Sequence, residues 1–292
     1  MLLSLRMNDG KHTSECGSLY IVATPIGNKD DITLRALDVL KKVDLIAAED
    51  TRYTGRFLSA HDISGDFISY HDHNEDMRTP MLIDRLKRGQ SIALLSNAGT
   101  PLVSDPGYRL IHAAIENKIN VIPIPGVSAA IAALSASGLP TDSFVFTGFP
   151  ARKKGKRLKQ LKMLANDTRT IVFYESPKRI IKFMEEIVTT LGNRYGVLAR
   201  EMTKVHEEFI RGPITEIIEC LKQRSTVKGE ITLLVTGKEE EDVSMELVRS
   251  EIERKLEIKE NGISDISKHI AEKYGISRSK VYETAIKLKE KR

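Results

Sequence analysis

Residues 94–107 read LLSNAGTPLVSDPG. An apolar run, IALL (92–95), stops in a chain of small and turn-forming residues. An aliphatic pair, Leu102-Val103, and then Ser104-Asp105-Pro106-Gly107 follow. Asp at an N-cap and Pro at the first helical position predict a helix opening at Asp105-Pro106 and running through GYRLIHAAIENK (107–118). A buried strand that ends in so much Gly, Pro, Ser and Thr is either a tight strand-to-helix connection or a cradle whose backbone faces a ligand.

The same alternation extends outward from this stretch. LYIVAT (19–24), DLIAAED (44–50), DFISY (66–70), SIALLS (91–96) and NVIPI (120–124) read as strands. Thr33 caps a helix over LRALDVLKKV, a short helix lies around RFLSA, MLIDRLKRG is helical, and Gly126 opens another helix. HDHNED (71–76) reads as a loop. Five apolar strands separated by helices predict a mostly parallel sheet covered on both faces. Beyond a candidate hinge at Gly138-Leu-Pro140, SFVFTGF, RTIVFYE, YGVLARE, VHEEFIRG and GEITLLVTG read as strands among three helices, which predicts a mixed sheet. KEEED (238–242) reads as a linker, and the remainder as helical. The expected division is an N-terminal α/β domain (17–138), a second α/β domain (139–238) and a small helical unit (239–292). In the last, Tyr274-Gly275-Ile276-Ser277 separates two apolar-periodic helices, as in a helix-turn-helix.

The 292 residues are 41% apolar and 29% charged, with net charge +5. That composition suits folded, soluble domains and permits an anionic partner without demanding one. Two cysteines are too few for a disulfide framework or a zinc site and point to a reducing, cytoplasmic compartment. The apolar run in MLLSLRMNDG is too short for a signal peptide. Residues 119–141 carry no charge, but Pro123, Pro125 and Gly126 interrupt them, so no membrane span is expected.

In open α/β sheets ligands lie beyond the carboxyl ends of the strands. Here those ends read ATPIGN, AAEDTR, SYHDHNED, SNAGTP and PIPGVSA. Gly126 offers a helix N-terminus to a carboxylate or phosphate. Five small or polar strand ends in one sheet favour a small-molecule site over five separate tight turns. Neither G-x-G-x-x-G nor the P-loop motif occurs, which removes support for ordinary dinucleotide and nucleoside-triphosphate sites. Around the expected site, His71, Asp72, His73, Asn74 and Glu75 follow strand three. Glu49, Asp50 and Arg52 follow strand two, and Glu175, Arg200, Glu201 and Lys204 come from the second half. His73 is a candidate base, with Asp72, Glu75, Asp50 and Arg52 beside it, because an imidazole titrates near neutral pH. An ordinary loop histidine and a buried Asp50–Arg52 pair are the structural alternatives, as is an interdomain pair at Arg200-Glu201. A metal role lacks a third ligand. Residues 151–166 hold seven basic residues and no acidic one. Arg152, Lys153, Lys154, Lys156 and Arg157 are therefore candidate contacts to the phosphates of a polyanion such as RNA, the alternative being a solvated helix face. Arg278 and the lysines of the last helix fit an auxiliary contact to the same polyanion, the alternative being a packing module.

At LYIVATPIGN, ITLRAL, DLIAAEDTR, YHDHNE, SNAGTPLVSDPG, PIPGVSAAIAALSASGLP, FTGFP, IVFYESPKR, LAREMTKVHEE and KGEITLLV, in this order, the sequence resembles the ribosomal RNA small subunit methyltransferase I family of the tetrapyrrole methylase superfamily. The resemblance implies two α/β domains with S-adenosyl-L-methionine bound between them, and a homodimer. It also implies methylation of a cytidine ribose 2′-hydroxyl in the decoding region of small-subunit (16S) ribosomal RNA, free or in the 30S particle. Matched by position, Pro25, Gly99, Thr100, Val103, Ser128, Ala129, Tyr174 and Ala199 fall where the superfamily lines its cofactor pocket. Two positions depart from the family pattern: Asn97 stands where SDAGTP is common, and Val127 where PGP is common. A tetrapyrrole (cobalamin-precursor) C-methyltransferase and a non-catalytic RNA-binding relative are the rival expectations. The first has no need of the basic arm or the helical tail, and the second rests on Asn97 alone.

Overall fold

A computed structural model of the chain describes residues 16–239, 245–258, 262–274 and 276–290. The chain divides into two compact units, 1–238 and 239–292. The first unit contains two five-stranded sheets.

The N-terminal sheet has the order β3-β2-β4-β1-β5. Its strands are β1 (Ser18–Val22), β2 (Leu45–Ala48), β3 (Phe67–Ser69), β4 (Ile92–Leu95) and β5 (Asn120–Ile124). All four neighbouring pairs are parallel. β2 and β4 are buried along their whole length, because both faces of the sheet are covered. Leu45, Ala47, Ile92 and Leu94 pack on one face with Leu82, Leu86 and Leu110. Ile46, Ala48, Ala93 and Leu95 pack on the other with Leu40, Phe57 and Leu58. The helices on these faces are α1 (Leu34–Leu40), α2 (Thr51–Ser59), α3 (Glu75–Lys87) and α4 (Tyr108–Glu116). Thr33 caps α1 as expected, its hydroxyl accepting from the Ala36 N–H at 3.1 Å.

The second sheet has the order β6-β7-β10-β8-β9. It comprises β6 (Phe144–Gly148), β7 (Thr170–Glu175), β8 (Tyr195–Arg200), β9 (Glu208–Pro213) and β10 (Ile231–Val235). Only β6–β7 is parallel, so the sheet is mixed. One face packs on α6 (Lys154–Met163), α7 (Ile180–Leu191) and α8 (Ile214–Lys222) through Ile171, Phe173, Phe183, Ile187, Ile217 and Leu233. The opposite face, with Val172, Val197, Ala199 and Leu234, receives Ile26 and α5 (Ala129–Ser135) from the first half. A shared apolar layer therefore holds the carboxyl ends of the N-terminal sheet against the second sheet.

The other unit is helical: α9 (Met245–Ile258), α10 (Ile263–Tyr274) and α11 (Arg278–Glu290) bury Val248, Ile252, Ile266, Ile270, Val281 and Ala285 together. Lys273 and Tyr274 both bond to Glu251. The expected turn at 274–277 includes Gly275, which lies outside the described residues.

Two helix starts differ from the sequence reading. α4 begins at Tyr108 with Gly107 at its N-cap, not at Asp105-Pro106. Leu102 and Ser104 have φ of 71° and 70°, and Gly107 has φ 135°. This kinked path turns Asp105 away from the helix end. α5 begins at Ala129, not Gly126, and Val127 precedes the helix. The Val127 carbonyl is held at 3.0 Å by the Thr100 hydroxyl. Gly126 lies against Ala23, where an added Cβ would come within 2.8 Å of the Ala23 Cβ. These contacts keep 126–128 extended, and the helix follows. α2 is also longer than expected, because the Asp50 carboxylate caps it through the Arg52 and Tyr53 N–H groups at 2.9 and 3.3 Å.

Candidate active site

Strand ends from both sheets converge on a cleft of ≈ 380 Å³. The loop after β4 supplies Asn97, Gly99, Thr100, Val103, Ser104 and Asp105, and the end of β2 supplies Glu49. Ser128 and Ala129 come from the start of α5, Tyr174 and Glu175 from the end of β7, and Glu230 and Thr232 from the start of β10. Gly99 is fixed by a two-way backbone bridge to Thr24 at 2.8 and 2.9 Å, in a left-handed conformation (φ 79°) that suits a residue without a side chain. Ser104 lies against Gly148 of β6, where an added Cβ would stand 2.6 Å from the Ser104 hydroxyl oxygen. The β4 loop is thereby clamped between the two sheets. The Tyr174 hydroxyl accepts the Ala130 N–H at 3.0 Å, and its ring is flanked edge-on by Phe146 and Phe149. Burial pushes the Tyr174 phenol up from its ordinary value.

The lining carries four carboxylates, Glu49, Asp105, Glu175 and Glu230, and among the described residues no lysine, arginine or histidine. Glu230 is balanced by Lys204 at 2.9 Å. Glu175 has one oxygen held by the Ser176 N–H and by Arg179, at 2.6 and 2.8 Å, whereas its Oε2 is buried without a partner among the described residues. Asn97 donates its N–H to Glu49 Oε2 at 3.2 Å, and its own Oδ1 is likewise buried and unpartnered. Asn97 therefore does not close the turn through its side chain. Desolvation, reinforced by Glu49 and Asp72 and opposed by the Ser96 hydroxyl, raises Asp105 to a pKa of about 6. A carboxyl with that value in a cleft can hold or take up a proton near neutral pH.

Six of the eight residues expected at a cofactor pocket, Gly99, Thr100, Val103, Ser128, Ala129 and Tyr174, line this cleft. Ala199 does not: it is fully buried in the layer beneath, paired across the strands with Thr232, which takes the lining position. Pro25 lines a second cavity instead.

The expected catalytic set is not brought together. His73 and Asp72 are exposed on the loop before α3 and line neither cavity. Asp72 reaches Asp105 only through its field. Glu75 is bound by Arg109 at 2.8 Å. Asn74 organises that loop, bonding the Ser69 carbonyl and the His71 ring and accepting the His71 N–H. Asp50 is the α2 cap, held below the usual carboxylate range by the Tyr53 and Arg52 N–H groups. Its pair with Arg52 is solvent-exposed (side chains 41% and 88% exposed), not buried. Arg200 and Glu201 bond Glu208 and Lys204 respectively. A bond to the first half is made nearby, by the Thr203 hydroxyl accepting the Asn28 N–H at 2.9 Å.

Arg152, Lys153, Lys154 and Lys156 are exposed where α6 begins, just after the cleft residue Phe149. Arg157, expected among these contacts, is not one of them. It is buried, its guanidinium bonding Glu186 at 2.5 and 2.7 Å and the Ala151 and Arg152 carbonyls, so it is committed to the interior and not presented to RNA. Ser104, Phe149, Met202 and Thr232, which no motif in the sequence singles out, also line the cleft, and Asp105 lines it instead of capping a helix. The Asp-Pro-Gly run carried a signal, but one that fits a helix start equally well.

Residues 18–218 match the family described as Tetrapyrrole (Corrin/Porphyrin) Methylases. The chain is 46% identical over 276 residues to the ribosomal RNA small subunit methyltransferase I of Synechocystis sp., covering 93% of this chain and 98% of that one. It is 43% identical over 282 residues to the protein of the same name from Haemophilus influenzae, covering 96% and 100%. The chain belongs to the ribosomal RNA small subunit methyltransferase I family. That membership makes it a methyltransferase. Among solved structures, uroporphyrin III C-methyltransferase from Thermus thermophilus shares the fold at a TM-score of 0.54 and 19% identity, covering 76% of this chain and 98% of that one. The methyltransferase CobJ does so at 0.58 and 18%, covering 76% and 95%. The Thermus enzyme has also been solved complexed with S-adenosyl homocysteine. Among the described residues no helix is long and apolar enough to cross a membrane.

Proposed function

We propose that this chain transfers a methyl group from S-adenosyl-L-methionine to a cytidine ribose 2′-hydroxyl in the decoding region of small-subunit (16S) ribosomal RNA, free or within the 30S particle. The names of the relatives supply the substrate class. The observation that carries the reading is the acidic lining of the cleft, four carboxylates and, among the described residues, no cationic side chain. Such a lining suits a sulfonium and an ammonium group and disfavours a phosphate. The residues fit the donor. Glu175 Oε2 and Asn97 Oδ1 are buried acceptors without a donor among the described residues, and Ile26, Val103, Met202, Phe149 and Tyr174 give apolar walls for a nucleoside.

The donor supplies a methyl group already activated on sulfur. The chain's part is to align the acceptor oxygen with it, at ~3–3.5 Å and in line, and to receive the proton that the hydroxyl loses. Asp105 is the group placed for that proton. Glu49, the Tyr174 phenol and Asp72 are the titratable groups whose fields act on it or feel it. His73, exposed outside the cleft, is not assigned this role. Arg152, Lys153, Lys154 and Lys156 form the RNA-contacting arm, and α11 adds an auxiliary contact. The family resemblance further supports a homodimer acting in the cytoplasm. Tritiated methyl donor incubated with unmodified small-subunit particles tests the reading: label in the RNA supports it, and label absent from RNA while donor binds in calorimetry refutes it.

A further inference from the structure

A second cavity of ≈ 310 Å³ opens beside the cleft, and Asn97 lines both. Its chemistry is the reverse of the cleft's. It holds Lys29 and Arg56 and, among the described residues, no carboxylate. Arg56 spends one donor on the Arg52 carbonyl at 3.3 Å, and neither cation has an ion-pair partner among the described residues. Two aromatic rings one helical turn apart on α2 share the cavity: Phe57 is buried at its floor and Tyr53 is 48% exposed at its rim. Pro25 completes the wall toward the cleft.

We propose that this second cavity receives the acceptor nucleotide. The base lies against Tyr53 and Phe57, the adjoining phosphates meet Lys29 and Arg56, and the ribose stands at Asn97, where the two cavities meet. The assignment rests on the ribosomal RNA reading above and deepens it. Three physical points converge. Single-stranded RNA bases are held by stacking on aromatic side chains. Phosphodiesters are drawn to unpaired cations and are repelled by the carboxylates of the cleft, which sorts the anionic acceptor and the cationic donor into neighbouring compartments. The cavity's volume falls at the small end of the ~300–1,000 Å³ typical of ligand pockets, the scale of one nucleotide.

The chain contains no tryptophan, so Tyr53→Trp installs a single indole at the rim. In protein loaded with S-adenosylhomocysteine, a short oligocytidylate should quench that fluorescence. Unchanged emission at oligonucleotide concentrations that inhibit particle methylation overturns stacking at Tyr53. Separately, Tyr53→Ala and Arg56→Ala should each raise KM for unmodified small-subunit particles by roughly tenfold or more, the weakening expected when one base is left unstacked or one phosphate unbound. Calorimetric donor affinity and melting temperature should stay at wild-type values. If the wild type labels the particle and both variants match its KM, the nucleotide assignment fails alone. If the wild type labels no ribosomal RNA, the function reading fails and the assignment falls with it.

Discussion

Replacing Asp105 by Asn probes the proton acceptor and its energetic cost together. Burial and the neighbouring Glu49 raise this carboxyl from 3.8 to about 6, a little over two pKa units. At ~1.4 kcal/mol per unit the ceiling is ~3 kcal/mol, and solvent entering an open cleft reduces it to roughly 1–2 kcal/mol. Because the folded value lies above the unfolded one, the folded chain binds this proton more tightly than the unfolded chain does. Below about pH 4 both states are protonated and the site costs nothing. As pH rises through 4 to 6 the penalty grows, and above about 6 it is complete. Asp105→Asn removes the charge, so the variant should be more stable than wild type by about 1–2 kcal/mol at pH 7.5, with the difference shrinking toward pH 4.5. Urea titrations at the two pH values measure this. Methyl transfer at saturating donor should fall by ~10²–10⁴, and the wild-type rate should climb through about pH 6 and then level. Glu49→Gln, by removing the second cause of the shift, should move that limb to lower pH. A variant that keeps the wild-type rate, or is less stable at pH 7.5, refutes the assignment.

Arg157→Ala strands the Glu186 carboxylate in a buried position and should cost ~3–5 kcal/mol in urea unfolding; a cost under about 1 kcal/mol would show the pair to be idle. Joint replacement of Lys153, Lys154 and Lys156 by Ala, with Arg157 kept, should weaken RNA binding and reduce the slope of log K against log salt by ~2–3, near 0.7–0.9 for each phosphate no longer neutralised. An unchanged slope removes the arm from the interface. Gly99→Leu forces a side chain onto a φ of 79° at the cleft wall. Donor binding in calorimetry should disappear while circular dichroism stays native, and normal affinity would exclude Gly99 from the donor site.

What the sequence made legible was what local pattern encodes. The strands at 18–22, 45–48 and 92–95 follow from apolar runs buried on both faces, and the α1 start from the side-chain chemistry of Thr33. Where long-range packing decides, pattern gave out. Asp105-Pro106 has the chemistry of a helix start, but the helix begins after Gly107, and Ser104 is held against the distant Gly148. Arg157 looks like one more cation in a basic run. Its periodic partner Leu161 already lies on the buried face of α6, but Glu186, which makes that burial tolerable, lies on another helix. His73 has suitable intrinsic chemistry, yet Asn74 fixes the loop so that the ring stays in solvent. The opposite charges of the two cavities could not be read at all, because Glu49 and Arg56 are near neighbours in sequence and face different compartments only once α2 is laid down.

The most direct measurement is to incubate the chain with isotopically labelled S-adenosyl-L-methionine and unmodified small-subunit particles, digest the RNA to nucleosides and locate the label by mass spectrometry. A single labelled cytidine, with the methyl group on its ribose, is the predicted result. Label on a base, label confined to a tetrapyrrole added in competition, or no label in the RNA would contradict it.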